Sequence, residues 1–315
     1  MRDLRIVFMG TPDFAVTTLK TLVEANYNIV GVITALDKPA GRGQKLSESA
    51  VKQYAVSQNL NVLQPSNLKN ETFLNNLKLL NANLQIVVAF RMLPKAVWQM
   101  PKYGTFNLHA SLLPNYRGAA PINWAIINGE TKTGVSTFFI DEKIDTGDTI
   151  LQESININPE ENAGSLHDTL MTIGSELVLK TVKSIQNNTI KTVPQTESSE
   201  IKTAYKLNRD NCKINWNDSL ENIYNLIRGL SPYPSAWCTL INGEEHLDVK
   251  IYASVKETTV HNHNIGTILT TKKELKVSVS NGYIIIKEIK LPGKRAMDVK
   301  SLLNGYTFEA NAKMM

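Results

Sequence analysis

The front half of the chain alternates short apolar runs with segments of helical spacing. Leu4–Met9, Tyr27–Ile33 and Leu84–Ala89 are rich in Val, Ile and Leu and bounded by glycine or polar residues. Such runs suit strands buried on both faces of a parallel sheet. Between the first two, Asp13–Ala25 places Phe14, Val16, Leu19, Leu22 and Val23 at near-helical spacing, and Asn70–Leu80 repeats the pattern with Phe73, Leu74, Leu77 and Leu80. Strand and helix in alternation predict a doubly wound α/β sheet with ligands at the carboxyl ends of its strands. Pro121 opens a further helix that Gly129 stops. Asn162–Ile185 reads as one long helix, with Leu166, Leu170, Ile173, Leu177, Val178 and Val182 along its apolar face.

The pattern changes after this helix. Gln186-Asn-Asn-Thr189 and Gln195-Thr-Glu-Ser-Ser-Glu200 are polar and strand-poor, which marks a domain boundary. Beyond it come a short helix near Ser219–Arg228 and alternating runs at Trp237–Ile241, Val249–Tyr252, Ile265–Leu269, Leu275–Val279 and Tyr283–Ile289. These predict a small antiparallel barrel or sandwich. The expected division is a first domain over 1–189, a linker over 190–205 and a second domain over 206–315.

A chain of 315 residues with 42% hydrophobic and 20% charged residues is long enough and ordinary enough for two folded domains. The net charge is +5 and the pI about 9.0. Residues 206–315 hold 15 Lys+Arg against 11 Asp+Glu, whereas the first 205 hold 19 against 18. The excess hints at an anionic partner for the last third, although four charges also fit a plain basic surface. The apolar start, Leu4–Met9, is broken by Gly10-Thr-Pro-Asp13 and reads as a first strand, not a signal peptide. Cys212 and Cys238 form no C-x-x-C pattern and are expected as buried or half-buried thiols in a reducing cytosol.

The chemistry concentrates at Asn107–Pro121, N-L-H-A-S-L-L-P-N-Y-R-G-A-A-P. Asn107 and His109 sit two residues apart on an extended run, so they share a face at a strand tip. Asp145 follows another strand-like run, Gly134–Ile140. An amide, an imidazole and a carboxylate at two strand ends can stabilise an oxyanion and hold a histidine tautomer. Asp141, Asp145 and Asp148 do not match a D-x-[DN]-x-[DN]-G loop, and no metal is expected. The turn Gly10–Asp13 is not G-x-G-x-x-G, and Ser111 lacks a G-x-S-x-G setting. His167 reads as a helix side chain, and His261 and His263 as a solvated turn. Asp37–Lys45 and Leu291–Arg295 are basic, glycine-containing loops suited either to solvent or to phosphate.

Taken together, these residues resemble the methionyl-tRNA formyltransferase family. The matching pieces are Phe8-Met-Gly-Thr-Pro-Asp-Phe-Ala15, Asp37-Lys-Pro-Ala-Gly-Arg-Gly43, Asn107-Leu-His-Ala-Ser-Leu-Leu-Pro114, Tyr116-Arg-Gly-Ala-Ala-Pro-Ile122, Asp145-Thr-Gly-Asp148, Ile227-Arg-Gly-Leu-Ser-Pro-Tyr-Pro234 and Leu291-Pro-Gly-Lys-Arg295. One stretch departs: Ala89-Phe90-Arg91 stands where the family has Ala-Tyr-Gly. The resemblance implies a Rossmann-like formyltransferase domain followed by a smaller C-terminal β-barrel of the oligonucleotide-binding (OB) type. It implies formyl transfer from 10-formyltetrahydrofolate, a co-substrate, to the α-amine of methionine on initiator tRNA, without metal. Asn107 and His109 would serve the oxyanion, with Asp145 orienting His109. Ser111, Leu112, Leu113, Pro114, Phe90 and Asp141 would hold folate, and Lys38, Arg42, Lys45, Lys294 and Arg295 the tRNA. A cytoplasmic monomer with no membrane partner is expected. The rivals are transfer to a small amine, hydrolysis of the same folate, and an RNA-binding protein built on an inactive enzyme domain.

Overall fold

The first apolar run becomes the strand Arg5–Gly10, an interior strand of a seven-stranded sheet in the computed structural model, which describes residues 1–40 and 45–315. Across the sheet the order is Thr149–Asn156, Lys132–Phe139, Thr105–His109, Leu84–Val88, Arg5–Gly10, Asn28–Ile33 and Val62–Leu63. Pairing from Thr105–His109 through to Val62–Leu63 is parallel, and Lys132–Phe139 runs antiparallel to Thr105–His109. Val7, Met9, Ile33 and Val87 project into a core with Phe73, Leu77 and Val97. That burial on both faces is why these strands read as unbroken apolar runs.

The helices follow the expected periods. Asp13–Glu24 buries Phe14, Leu19 and Leu22, and Glu71–Leu79 buries Phe73 and Leu77. The Asn70 side chain accepts the Phe73 amide and Ser49 that of Lys52, starting Glu71–Leu79 and Ala50–Ser57. Such caps are worth ~1 kcal/mol each. Where the sequence suggests a basic loop, Lys38–Ala40 pairs antiparallel with Lys45–Ser47. Beside it, Lys52 is paired with both Asp37 and Glu48.

Packing divides the chain into two units. The first comprises Met1–Gly118, Thr133–Ile155 and His167–Thr203; the second comprises Ala119–Lys132, Asn156–Leu166 and Ala204–Met315. In the second, the strands run in the order Ile268–Thr270, Leu275–Val279, Gly282–Lys290, Glu245–Thr258, Ala236–Asn242 and Lys313–Met314. The two edges meet where Thr267 bridges Lys313 and the Met314 amide donates to the Gly266 carbonyl at 2.8 Å, so the sheet nearly closes into a barrel. Its interior is filled by Cys238, Leu240, Val249, Ile251, Val277 and Ile284. The helix Leu220–Leu230 covers it through Ile223, Ile227 and Leu230. Glu245–Thr258 extends well beyond the expected Val249–Tyr252, because a register shift around Ala253 interrupts the alternation on which the sequence reading depends. Among the described residues no helix is long and apolar enough to cross a membrane.

Candidate active site

The strand Thr105–His109 turns Phe106 and Leu108 to one side and Asn107 and His109 to the other. Leu108 lies against the helix Ala163–Gln186 at Gly174, where an added Cβ would stand 2.9 Å from the leucine Cδ2 and oblige that side chain to shift. Asn107 is half-buried between Val87 and Phe138 in the sheet register. Its side-chain amide has no hydrogen-bond partner among the described residues and is available to a ligand.

His109 is only 6% exposed, with the Phe138 ring edge-on to it at 6.4 Å. Its Nε2 lies 2.7 Å from the Tyr116 carbonyl oxygen. A carbonyl only accepts, so Nε2 carries the hydrogen and the backbone fixes the tautomer. Nδ1 faces Asp145 with 3.8 Å to Oδ2, the separation of an ion pair when the ring is protonated and too long for a hydrogen bond. The sequence reading gives Asp145 the task of orienting the imidazole. The geometry assigns that task to Tyr116 and leaves Asp145 as a negative charge beside the ring.

Asp145 is itself held from several sides. Its Oδ2 accepts the Gly118 amide at 2.9 Å. Its backbone is left-handed at φ 56°, as are Tyr116 at 61° and Gly118 at 121°. A non-glycine residue in that region costs ~1–3 kcal/mol and persists only when its surroundings impose it. Gln195 imposes it here: its amide donates to the carbonyls of Asp145 (2.9 Å) and Gly147 (2.7 Å), while its Oε1 accepts Arg117 Nη2 at 2.8 Å and Nε at 3.1 Å. The segment Tyr116–Gly118 thus touches His109, Gln195 and Asp145 in three successive residues. Within the same loop a Cβ on Gly147 would lie 1.7 Å from the Phe139 carbonyl oxygen, so no other residue fits. Sequence reasoning misses Gln195, which sits in the tract read as a linker.

The other acids are engaged separately. Asp141 accepts the Thr146 hydroxyl at 2.8 Å and the Lys143 amide at 3.0 Å, and Asp148 accepts the Thr192 hydroxyl at 3.2 Å. Among the described residues, no group of three or more His, Cys, Asp or Glu is arranged to hold a metal ion.

Of the residues expected to hold folate, Ser111 is fully buried and donates to the Asn115 carbonyl at 2.6 Å. The Leu113 side chain is also buried, its amide donating to Ser136 Oγ at 3.1 Å and its carbonyl accepting Gln152 Nε2 at 2.9 Å. The cis Leu113–Pro114 peptide lies in this turn. Leu112 and Pro114 are the half-buried members that can meet a ligand. Phe90 is half-buried, with the Arg91 guanidinium 5.6 Å from its ring centre. Arg91 donates to the carbonyls of Ser66 (2.9 Å) and Pro65. Arg91 and Glu142, the chain neighbours of Phe90 and Asp141, line a cleft of about 590 Å³ with Asn67, Met92, Lys95 and Trp98. Lys95 bonds Glu142 there and holds its carboxyl below the usual range.

Of the residues expected to meet tRNA, Lys38, Lys294 and Arg295 are exposed. Arg42 and the side chain of Lys45 lie outside the described residues. His167 meets Phe14 edge-on at 5.2 Å. His261 stacks on Tyr283 at 4.5 Å and bonds the carbonyls of Val279 and Gly282, so it is a packed side chain where the sequence suggests a solvated turn. Both cysteines are buried, and desolvation pushes the Cys238 thiol up to about 12.

Against known proteins, residues 4–182 match the formyl transferase family model and residues 206–307 its C-terminal domain. A methionyl-tRNA formyltransferase of Flavobacterium johnsoniae is 61% identical over 314 residues, covering all of both chains. Another, from Bacteroides thetaiotaomicron, is 51% identical over 317 residues, covering 99% of this chain and 98% of its own. Among solved structures, the sugar 3N-formyl transferase WlaRD, crystallised with dTDP and 5-N-formyl-THF, superposes with a TM-score of 0.65 at 24% identity. The match covers 94% of this chain and all of that one, and shows a shared fold. With both domain models in order and full-length identity of this degree, the chain belongs to the formyl transferase family, in its methionyl-tRNA formyltransferase branch.

Proposed function

We propose that the chain transfers the formyl group of 10-formyltetrahydrofolate to the α-amine of methionine esterified to initiator tRNA. The observation that carries this reading is the strand end where an unpartnered Asn107 amide stands beside a tautomer-fixed His109, with Asp145 clamped 3.8 Å from the ring. An α-amine titrates near ~7.7–8.0, so close to neutrality a useful fraction is already the free nucleophile. It attacks the formyl carbon directly, and the carbonyl oxygen becomes an oxyanion. Asn107 donates an N–H to that oxygen, and His109 adds a second donor when its ring is protonated, with Asp145 as counter-ion. Collapse breaks the bond to N10; the amine has lost one proton and N10 gains one. Asp145 and His109 are the groups placed to pass that proton.

Leu112, Pro114, Phe90 and the cleft beside Asp141 hold the folate. Ser111 and Leu113 act by shaping the turn from within. Lys38, Arg42, Lys45, Lys294 and Arg295 contact the tRNA, the basic barrel serves as its OB-like docking domain, and the enzyme works as a cytoplasmic monomer. The deciding assay offers the protein 10-formyltetrahydrofolate with methionyl-initiator tRNA, an amino sugar nucleotide, glycinamide ribonucleotide or no acceptor. N-formylmethionyl-tRNA is the expected product. Transfer to a small amine with the tRNA untouched, or formate release at comparable rate without acceptor, would overturn the reading.

A further inference from the structure

The cleft beside Phe90 and Asp141 is apolar below and cationic at its rim. Leu68 and Leu93 are buried and Trp98 half-buried, whereas Lys69, Arg91, Lys95 and Glu142 are exposed. Arg91 stands where the family resemblance puts glycine. Its two Nη groups donate to the carbonyls of Ser66, at 2.9 Å, and Pro65. These acceptors are neutral, so they fix the guanidinium in place without cancelling its charge. Lys69 has no ion-pair partner among the described residues. Lys95 has Glu142, in an exposed pair of the kind that a second carboxylate can enter or displace. Three cations thus face the cleft against one carboxylate, and its volume of about 590 Å³ is that of a small-molecule site.

We propose that Lys69, Arg91 and Lys95 seat the γ-glutamyl tail of the formyl donor and make the enzyme select its poly-γ-glutamyl form over the monoglutamate. The inference rests on the reading of 10-formyltetrahydrofolate as the donor. That molecule is a pterin joined through N10 to an aminobenzoyl ring and then to glutamate. Aromatic surface is therefore followed by carboxylates, and each further γ-linked glutamate adds one more. The cleft has the same order. With the pterin end at Phe90 and Asp141, the floor of Leu68, Leu93 and Trp98 takes the aminobenzoyl ring and the rim takes the carboxylates. A monoglutamate brings fewer carboxylates than the rim has cations, so only a longer tail uses them all. Arg91 is already held by two carbonyls, and meeting an anion costs it little further ordering.

The test titrates the full chain by calorimetry with 5-formyltetrahydrofolate, which has no formyl group at N10 to transfer, as the monoglutamate and as the pentaglutamate. An exposed charge pair is worth up to about fivefold in affinity, so three give wild type a preference for the pentaglutamate on the order of tenfold or more. Lys69→Gln/Lys95→Gln leaves Arg91 alone to hold that preference, at about threefold or less. Lys20→Gln/Lys78→Gln removes as much charge from exposed positions elsewhere on the same unit and should keep the wild-type ratio. Glu142→Gln should raise the ratio by freeing Lys95, a gain that loss of a merely structural pair would not produce. In formylation, the KM for the pentaglutamyl donor should rise in the first variant by about the factor seen in binding, with kcat and the KM for methionyl-tRNA within twofold. Equal affinity of wild type for both forms, or an unchanged ratio in the first variant, overturns the tail seat while the donor reading stands. An equal loss in the control overturns it as well, by reducing the effect to net charge. A raised KM for methionyl-tRNA with the donor KM unchanged overturns it by giving the cations to the acceptor. If neither form binds, the donor reading itself fails, and the selection with it.

Discussion

Removing the Gln195 side chain should slow catalysis without weakening either substrate. Four hydrogen bonds end on this amide: two donated to the Asp145 and Gly147 carbonyls and two accepted from Arg117. Net values of ~0.5–1.5 kcal/mol per neutral bond put the donated pair at about 1–3 kcal/mol. The left-handed backbone of Asp145 at φ 56° works against them with ~1–3 kcal/mol of strain. The two are of equal size, so Gln195→Ala leaves the carboxylate out of place for a large fraction of the time. A deficit of 1–3 kcal/mol in the reacting geometry lowers kcat by about 5- to 150-fold. The KM for methionyl-tRNA and for the formyl donor should change by no more than about twofold, since Gln195 is assigned contact with neither.

Gln195→Glu sharpens the test. It keeps an acceptor for Arg117 and strengthens that bond, yet it replaces the donating NH2 group with an oxygen that faces two carbonyls. Its kcat should fall at least as far as that of Gln195→Ala. The side chain is half-buried and at the surface of its unit, so melting temperatures should stay within a few degrees of wild type. Steady-state formylation with both substrates varied is the assay. If both variants keep kcat within twofold of wild type while Asp145→Asn loses a hundredfold, the clamp has no catalytic role.

Asn107→Ala should lower kcat about 100- to 1,000-fold at unchanged melting temperature, the usual effect of losing one oxyanion donor; a drop under tenfold would remove Asn107 from that role. Gly147→Ala should cost about 1–3 kcal/mol of stability and most of the activity, because its Cβ meets the Phe139 carbonyl at 1.7 Å; calorimetry together with the formylation assay checks both. Hydrogen bonds from Lys52 and Gln64 hold the Asp37 carboxyl below its ordinary 3.8. Its stabilisation is therefore full above pH 3.8 and lost as pH falls through the lower folded value, so denaturant midpoints of wild type and Asp37→Asn should differ near neutrality and converge in acid. Burial raises the thiols of Cys212 and Cys238, the latter to about 12, so neither should react with Ellman's reagent at pH 8 until the protein is unfolded.

What the sequence displays is what repeats along it. Phe73 and Leu77, or the run Ile6–Met9, declare a helix and a strand because burial imposes a local period, and the observed elements lie within a residue or two of the expected ones. Asn107 and His109 are legible for the same reason, since a spacing of two puts both on one face of any strand. The partner of His109 is not. Tyr116 reaches it through a backbone oxygen, which carries no residue identity, and only after the chain has turned through a left-handed residue. Gln195 is less legible still, because it meets Asp145 across 50 residues by bonding to carbonyls that any side chain could have carried.

That difference bears on where the catalytic unit ends. The formyl transferase model matches through residue 182, and the composition of the next twenty residues is that of a tether. Yet Val193 exchanges two backbone hydrogen bonds with Thr149, at 2.8 and 2.9 Å. Thr192 bonds the Asp148 carboxylate, and Gln195 bonds the carbonyls of Asp145 and Gly147. Three residues of this tract therefore hold the loop that carries the proposed catalytic carboxylate, and the first unit accordingly runs on to Thr203. The tract is polar because its partners are carbonyls and a carboxylate at the rim of a strand end, where an apolar side chain would find nothing to bury against and would leave those acceptors unpaired. A segment can read as a linker by composition and still act as a strap on the chemistry.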